Sequence, residues 1–188
     1  MTPPGLPPRI ALIGFMGAGK TTVGKILAES LGYDFIDTDD LVVARAGAPI
    51  AQIFRQKGEP AFRRLEIDAL QSLAVRERAV IAAGGGAPAQ ESNRRFFLSC
   101  AATFHLRVSM QNARHRAQAP GSAVRPLLSQ EENAIKRLYV ARLSIYESLG
   151  RPVETDGRTP VEVAEQIMRM LGDPRESPRP GKSPGEKP

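Results

Sequence analysis

Residues 14–21, Gly-Phe-Met-Gly-Ala-Gly-Lys-Thr, fit the pattern G-x-x-x-x-G-K-[ST] of a phosphate-binding loop, and this stretch decides the fold. The preceding residues 9–13 are apolar apart from Arg9 and predict a short buried strand. The following residues 21–31 predict a helix with an apolar side formed by Val23, Ile26, Leu27 and Leu31. Because the motif requires a strand before it and a helix after it, this setting predicts binding of a nucleoside triphosphate.

The chemistry of the loop follows from its residue types. Its glycines allow the backbone to curl, so that several N–H groups point into one cavity at a helix N-terminus, where phosphate is favoured. Lys20 is expected to reach the β- and γ-phosphates, and the Thr21 hydroxyl is expected to ligate Mg²⁺. The alternative is a glycine-rich turn that merely starts a helix.

Length and composition favour one globular domain in a reducing compartment. The chain has 188 residues, 41% of them hydrophobic, which is enough for one domain with a substantial core. We find no apolar run long enough to span a membrane, and the first eight residues lack the features of a signal peptide. The lone Cys100 permits no internal disulfide and is expected to be buried. We therefore expect a cytoplasmic protein without a membrane partner.

The net charge of +6 does not by itself indicate a nucleic-acid partner. The charges are spread along the chain, and neither an RNA-binding aromatic signature nor a zinc-finger spacing occurs. Small anionic substrates explain the excess of arginine at least as well, so no nucleic-acid partner is expected. His105 and His115 form no metal or catalytic constellation, and His105 is expected to be an interior histidine with its hydrogen bonds satisfied.

Short apolar runs alternate with helical patterns along the chain, which favours an α/β fold: a parallel sheet with helices on both faces. Strands are predicted at 9–13, 33–37, 79–83, 102–107 and 151–155. Helices are predicted at 19–31, about 40–46, 50–75 with a break near 58–60, 89–98, 109–117, 129–148 and 160–171. Ligands of such sheets lie beyond the carboxyl ends of the strands. The proline-rich residues 1–8 and 172–188 are expected to be disordered.

Two acidic residues, Asp37 and Asp39, follow the second predicted strand. At positions i and i+2 they would point to one side of an extended chain. One of them can then hold the water shell of Mg²⁺, while the other accepts a proton from a substrate hydroxyl. The alternative is that Asp39 or Asp40 caps a helix that begins at Leu41.

Two arginines fall on the apolar sides of predicted helices. Arg63 lies at the edge of such a side, and Arg142 lies on an inward stripe of its helix. An arginine that faces the core requires an anionic partner, and two of them can grip one carboxylate. The alternative is a pair of structural ion pairs with Asp68 or Glu147.

Two further segments suit a ligand site. Gly84, Gly85 and Gly86 follow the third strand, where glycines let a ligand approach backbone N–H groups, unless they form only a flexible turn. Residues 114–128 are rich in Ala, Gly, Pro and basic residues and suit a mobile lid. Arg125, arriving with a closing lid, can neutralise charge on a transferring phosphoryl group. A solvated surface loop is the alternative.

Taken together, these motifs resemble the shikimate kinase family over roughly residues 9–171. The resemblance is carried by residues 14–22, Asp37-Thr38-Asp39, Gly58-Glu59 with Phe62-Arg63, Gly84-Gly85-Gly86, Arg125-Pro126-Leu127-Leu128, and Arg142 with Tyr146. It implies a nucleoside-monophosphate-kinase-like, three-layer α/β/α fold with a five-stranded parallel sheet in the order 2-3-1-4-5. It also implies a monomer that uses ATP to phosphorylate the 3-hydroxyl of shikimate in aromatic amino-acid biosynthesis.

The same resemblance implies a role for each matched residue. Lys20, Asp39 and Arg125 are expected to be catalytic, and Thr21 and Asp37 are expected to hold Mg²⁺. The expected shikimate-binding residues are Asp39, Arg63, Gly84, Gly85, Gly86 and Arg142. The expected ATP-binding residues are Gly17, Ala18, Gly19, Lys20, Thr21, Thr22, Arg125 and Arg158. The adenine contact from the lid falls to Gln118 or Arg116.

Three other functions remain open at this point. A related small-molecule kinase, such as a gluconate kinase, shares the phosphate loop, although Asp37-Thr38-Asp39 and the triple glycine argue against it. A regulatory module that binds nucleotide without catalysis is a second possibility, although Lys20, Asp39 and Arg125 are all present. A nucleic-acid-binding ATPase would need a larger basic or aromatic platform.

Overall fold

Five parallel strands form the centre of the molecule. The computed structural model describes residues 6–100, 102–117 and 132–172. The strands are β1 (Arg9–Ile13), β2 (Asp34–Asp37), β3 (Ala79–Ala82), β4 (Ala102–Arg107) and β5 (Arg151–Glu154). They lie in the order β2-β3-β1-β4-β5 with parallel pairing throughout, which confirms the predicted class and strand order.

Helices connect the strands close to the predicted positions. They are α1 (Lys20–Leu31), α2 (Thr38–Ala46), α3 (Ile50–Gln71), α4 (Glu91–Ser99), α5 (Met110–Ala117), α6 (Glu132–Leu149) and α7 (Pro160–Gly172), with a short 3₁₀ turn at Ala87–Ala89. Residues 114–117 of the predicted lid therefore belong to α5. Its remainder, with Arg125, and residues 173–188 of the predicted tail lie outside the described residues.

The central strands are buried on both of their faces. Residues 10–13 of β1 are completely inaccessible to solvent, and all four residues of β3 are buried. Because successive side chains of a strand point to opposite faces, both faces of the sheet must be covered. This burial agrees with a three-layer arrangement that leaves the strand ends free for a site.

A second, smaller cluster of buried residues lies between α2 and α3. Its buried members are Val42, Ile53, Phe62 and Ala69, whereas the main cluster is built on the sheet. The predicted break of α3 is confirmed at Gly58, whose φ of 75° lies in the left-handed region and interrupts the helix. The α2–α3 unit therefore has a core of its own.

The first described residues are anchored to the domain. Leu6 packs against the main cluster, and the Pro7 carbonyl accepts a hydrogen bond from the Tyr33 hydroxyl over 3.1 Å. The expectation that residues 1–8 are disordered is therefore wrong for residues 6–8, because they gain apolar and hydrogen-bonding partners.

Cys100 is buried, as expected, and burial raises the pKa of its thiol to about 11. At neutral pH it is therefore protonated, which is the unreactive form of the group. None of the helices in the described part of the chain combines the length and the apolar composition that crossing a bilayer requires.

Candidate active site

The loop between β1 and α1 takes the course that its motif predicts. Gly14, Gly17 and Gly19 have φ angles of 146°, 73° and 88°, which residues with side chains rarely adopt. A methyl group on Gly14 would lie 2.6 Å from the carbonyl oxygen of Leu106, and one on Gly17 would overlap the carbonyl of Ala113. Both backbone conformation and the close approach of β4 and α5 therefore require glycine.

Lys20 begins α1 and is buried in the loop. Its ammonium group donates to the carbonyl oxygens of Gly14 and Phe15 over 2.9 and 3.0 Å. No side chain in the described part of the chain caps α1, so its first N–H groups are available to an anion beside the lysine charge. The predicted ATP-binding residues of this segment are Gly17, Ala18, Gly19, Lys20, Thr21 and Thr22.

The Thr21 hydroxyl and the Asp37 carboxylate are in contact. Thr21 Oγ1 donates to Asp37 Oδ2 over 2.8 Å and joins the first turn of α1 to the end of β2. Oxygen donors of this kind suit Mg²⁺, which usually keeps several waters and binds few protein ligands. Within residues 6–100, 102–117 and 132–172, no group of three or more His, Cys, Asp or Glu side chains is placed to hold a metal. The pair therefore fits Mg²⁺ that takes its other ligands from phosphates and water.

Asp37 also caps α2, which corrects the sequence interpretation. Its Oδ1 accepts a hydrogen bond from the Asp39 N–H over 3.0 Å, and α2 begins at Thr38. The alternative of a cap at Asp39 or Asp40 before a helix at Leu41 is therefore wrong. The expected extended geometry of the two acids is also wrong, because the chain turns into a helix directly after the cap.

Thr38 and Asp39 bring α2 against the three-glycine turn that follows β3. Thr38 is completely buried, and its Oγ1 accepts a hydrogen bond from the Gly84 N–H over 2.8 Å. A methyl group on Gly84 would lie 2.6 Å from Asp39 Oδ1 and 3.0 Å from Glu66 Oε1. The lack of a side chain at Gly84 therefore lets two carboxylates approach the same Cα.

Arg63 is held by two glutamates of its own helix. Its Nε and Nη2 donate to Glu59 Oε1 over 3.1 and 2.8 Å, and its Nη1 donates to Glu66 Oε2 over 2.9 Å. Burial lowers the pKa of Arg63, but the two glutamates outweigh burial and raise it above its usual value. The alternative partner Asp68 is wrong, because the glutamates at i−4 and i+3 lie on the same helix face as Arg63.

Glu66 is a site residue that the sequence analysis does not single out. Its side chain is 1% exposed, and Oε1 has no hydrogen-bond partner in the part of the chain that the structure describes. Burial raises the pKa of Glu66; the charge of Arg63 offsets part of this shift, and that of Asp39 adds to it. The sequence does contain a signal for the burial of Glu66: the residue lies four positions after Phe62 and four before Leu70, on the apolar face of α3.

Arg142 is buried on α6, with 7% of the residue exposed. No hydrogen bond or ion pair joins its guanidinium group to any described residue, although its charge contributes to lowering the pKa of Glu66. The alternative pairing with Glu147 is wrong, because Glu147 Oε1 instead accepts a hydrogen bond from Arg107 over 2.8 Å. A buried cation without a paired acid is costly, so this position suits a bound anion.

The three-glycine turn joins the phosphate loop to the two arginines. A methyl group on Gly85 would lie 3.5 Å from the Gly14 carbonyl oxygen and 3.7 Å from Arg142 Nη1. A methyl group on Gly86 would overlap the Arg63 guanidinium group. A ligand over this turn would therefore contact the phosphate loop on one side and arginines on the other.

The residues expected around adenine lie partly in the described structure. Arg116 of α5 donates to Thr155 Oγ1 over 3.1 Å and to the Thr155 carbonyl oxygen over 2.8 Å, which ties α5 to the end of β5. Arg158 is exposed in the following loop and donates to Gln166 of α7. Gln118 and Arg125 lie outside the described residues.

His105 is buried in β4, but its expected hydrogen bonding is incomplete. Nδ1 has no partner among the residues that the structure describes, and the ring packs on Tyr146 with centroids 5.1 Å apart. The expectation is wrong at this atom, because an aromatic ring rather than an acceptor lies beside the imidazole. Burial, followed by the charges of Arg107 and Lys20, lowers the pKa of His105 to about 4, so the ring is neutral at pH 7.

Known proteins resemble this chain over most of its length. The family model described as shikimate kinase matches residues 16–172. The shikimate kinase of Thermodesulfovibrio yellowstonii is 39% identical over 162 residues, which cover 85% of this chain and 92% of that protein. The chain belongs to the shikimate kinase family. The shikimate kinase of Moorella thermoacetica is 40% identical over 167 residues, which cover 88% of this chain and 95% of that protein.

Solved structures agree with membership of the shikimate kinase family. Shikimate kinase from Acinetobacter baumannii in complex with shikimate has a TM-score of 0.82 at 36% identity, covering 88% of this chain and 93% of that one. A gluconokinase from Sinorhizobium meliloti has a TM-score of 0.56 at 19% identity over 88% of this chain and 92% of that one, a likeness of the fold alone. As a member of the shikimate kinase family the chain is a kinase, and the gluconate kinase interpretation receives no comparable support.

Proposed function

We propose that the protein transfers the γ-phosphoryl group of ATP to the 3-hydroxyl of shikimate, giving shikimate 3-phosphate and ADP. The observation that carries the proposal is Arg142, a buried cation beside the glycine turn that also contacts the phosphate loop. A substrate carboxylate there supplies the counter-charge, while a hydroxyl of the same ring lies toward Asp39. Shikimate combines these groups, and membership of the family supports this choice.

The acid end of the site is formed by Arg63, Arg142 and the turn Gly84, Gly85 and Gly86. Arg142 binds the carboxylate directly, since no described acid is paired with it. Arg63 keeps Glu66, which is buried, as the partner that orients its guanidinium group. Glu59 is 62% exposed and is the partner that gives way to the substrate.

The phosphate end is formed by Lys20, the N–H groups of the loop and Arg125. The transition state of phosphoryl transfer is stabilised mainly by position and positive charge, not by a covalent nucleophile. Lys20 moves from the loop carbonyls to the phosphates when ATP binds. Arg125, which lies outside the described residues, neutralises charge on the transferring phosphoryl group.

Thr21 and Asp37 are the residues that would hold Mg²⁺, because their oxygens already meet between α1 and β2. When bound, the ion neutralises negative charge on the β- and γ-phosphates. Asp37 also keeps α2 in place through its cap, so the same side chain couples the metal site to the position of Asp39.

Asp39 orients the acceptor hydroxyl and takes its proton. Its carboxylate lies in the first turn of α2, directly against the glycine turn. As the hydroxyl oxygen bonds to the γ-phosphorus, the bond from that phosphorus to ADP breaks and the proton passes to Asp39. Arg158 and its loop contribute to the adenine end, and we propose a cytoplasmic monomer without nucleic-acid or membrane partners.

The first test is ADP release from MgATP with shikimate, with gluconate and without an acceptor. We expect strong stimulation by shikimate alone. Stimulation by gluconate instead would favour a gluconate kinase. ATP binding without release under all three conditions would favour a nucleotide-binding module that lacks catalysis.

The second test is Asp39→Asn, with Asp40→Asn as its matched control. Asp40 is the next residue of α2 and is exposed to solvent. We expect Asp39→Asn to lower kcat by about 100-fold or more, a typical loss of general-base catalysis, with little change in the KM for ATP. Asp40→Asn should retain wild-type kinetics, and near wild-type turnover of Asp39→Asn would remove Asp39 from its proposed role.

A further inference from the structure

Tyr146 connects α6 to the glycine turn. The residue is almost completely buried, and its hydroxyl donates to the Gly85 carbonyl oxygen over 2.6 Å. The turn lies between the end of β3 and the 3₁₀ turn, so strand pairing does not hold Gly85. This hydroxyl therefore links a rigid helix to the middle of the proposed acid site.

The bond at the Gly85 carbonyl also determines the direction of one N–H group. The carbonyl of Gly85 and the N–H of Gly86 belong to one planar trans peptide and point in opposite directions. The Gly84 N–H is already bonded to Thr38 Oγ1, whereas no described residue accepts a hydrogen bond from the N–H groups of Gly85 and Gly86. These two groups remain available to a ligand.

The peptide between Gly85 and Gly86 lies between the two arginines of the acid site. The side-chain position of Gly85 adjoins Arg142, and that of Gly86 adjoins Arg63. An N–H group between two guanidinium groups suits a carboxylate oxygen, because all three are donors to the same anion.

The ring of Tyr146 is supported from the sheet side. His105 of β4 packs on it at 5.1 Å between centroids and is itself 2% exposed. Two buried rings in contact leave the Tyr146 hydroxyl little freedom to follow the turn if the turn moves. The contact between the two rings therefore constrains the peptide between Gly85 and Gly86 as well as the Tyr146 side chain.

We propose that Tyr146 is a positioning residue of this kinase: by holding the Gly85 carbonyl, it directs the Gly86 N–H toward the carboxylate of the acceptor. The inference rests on the proposed function, which places that carboxylate between Arg63 and Arg142. Tyr146 itself does not touch the substrate.

The test is Tyr146→Phe, which removes the hydroxyl and keeps the ring on His105. The matched control is Tyr139→Phe, seven residues earlier on α6, which removes a hydroxyl that donates to the Val108 carbonyl oxygen over 3.0 Å. We expect Tyr146→Phe to raise the KM and the Kd for shikimate by about 3- to 10-fold, the usual effect of one neutral hydrogen bond. The KM for ATP should stay within about twofold.

Both variants lose one partly buried hydroxyl hydrogen bond, so a merely structural role would lower the two thermal midpoints alike and leave both shikimate constants unchanged. A Tyr146→Phe variant that folds and binds shikimate with wild-type affinity would overturn this inference but not the proposed function. Wild-type protein without shikimate-dependent ADP release would overturn the proposed function, and this inference with it.

A measurement on the wild-type protein keeps the inference testable if Tyr146→Phe does not fold. Titration with shikimate should shift the amide resonance of Gly86 and slow its hydrogen exchange by about 10-fold or more, the counterpart of one added hydrogen bond. The amide of Gly84, already bonded to Thr38, should change little. A Gly86 amide that does not respond to saturating shikimate would overturn the proposal.

Discussion

The two arginines of the acid site differ in what their removal leaves behind. Arg63 donates to two glutamates, and one of these, Glu66, is buried. Arg142 is buried without a described ion-pair partner. Removal of Arg63 therefore leaves a buried carboxylate unpaired, whereas removal of Arg142 eliminates a buried charge that is paired with no acid among the described residues.

Arg63→Ala and Arg142→Ala should therefore have similar kinetic effects and opposite effects on stability. Each is expected to raise the KM for shikimate by about 10- to 150-fold, because one charge-assisted contact is lost. Arg63→Ala should lower the free energy of unfolding by about 1–3 kcal/mol, while Arg142→Ala should leave it unchanged or raise it. Steady-state kinetics and denaturant titrations measure the two quantities.

A suitable control for both is Arg137→Ala, an exposed arginine on α6. It should change neither the KM for shikimate nor that for ATP. Equal loss of stability in Arg63→Ala and Arg142→Ala would contradict the difference in their pairing.

Glu66 predicts a dependence of stability on pH. Burial raises its pKa in the folded protein above the usual 4.5, so the folded state holds this proton more tightly than the unfolded state. The resulting contribution is full below the usual value and is lost as the pH rises through the raised one. Because Glu66→Gln has no such proton, the unfolding free energy of wild type minus that of the variant should fall as the pH rises above 4.5. Denaturant titrations across that range test this, and parallel curves would refute it.

The two arginines also show which features of a site residue the sequence can predict and which it cannot. Helical periodicity is sufficient to place Arg63 and Arg142 on inward faces, because the period of 3.6 residues depends only on local structure. It does not identify their partners. The pairing of Arg63 with Glu59 depends on the rotamers of both side chains, and Glu147 pairs with Arg107 of β4 instead of Arg142 through a tertiary contact.

At the scale of elements, each glycine of the three-glycine turn lies next to a different set of groups. Gly84 makes room for Asp39 and Glu66, Gly85 lies against the phosphate loop and Arg142, and Gly86 makes room for Arg63. None of the three has a positive φ, so at Gly84 and Gly86 space rather than backbone conformation is what a side chain would lack, whereas a methyl group on Gly85 would make only ordinary contacts.

Gly84→Ala and Gly86→Ala should consequently change different kinetic constants. The methyl group of Gly84→Ala displaces the carboxylate of Asp39, so we expect kcat to fall by at least about 10-fold. The methyl group of Gly86→Ala displaces the guanidinium group of Arg63, so the KM for shikimate should rise by a similar factor. Steady-state kinetics with shikimate varied at saturating ATP separates them, and identical profiles would show that the turn acts as a unit.

Element positions are largely predictable, since strand and helix signals are local. The ends of β1, β4 and α7 differ from the sequence prediction by at most one residue. Sequence reasoning misses the beginning of α2 because it treats Asp37 only as a ligand, although an aspartate before a helix is also a preferred cap. The hydrogen bond from Gly84 to Thr38 is tertiary, and no spacing in the sequence predicts it.

At the scale of the whole molecule, two buried clusters support different parts of the site. The larger one supports the sheet and the phosphate loop, while the smaller one lies between α2 and α3, which carry Asp39, Arg63 and Glu66. The acid site therefore lies between a large core and a small one. Small cores give lower local stability, so the α2–α3 unit is the part of the molecule expected to open first.

Hydrogen exchange should reveal this division. Amides of α2 and of the first half of α3 should exchange through openings of lower free energy than those of β1, β3 and β4. Saturating shikimate should slow exchange in α2 and α3 more than in the central strands, because in the proposed site the ligand joins Arg63 to Arg142. Uniform protection of both parts without ligand would show that the two clusters act as one.

The shielded thiol of Cys100 has a practical consequence. Maleimides and disulfide reagents attack thiolates that they can reach, and this sulfur is both buried and protonated. Val140 is 61% exposed on α6, the helix that also carries Arg142, so Val140→Cys would introduce a reactive thiol without the need to remove the natural one. A dye attached there would be the sole label, and the chain contains no tryptophan to compete with it optically. One substitution is therefore enough to give the protein a single site for labelling.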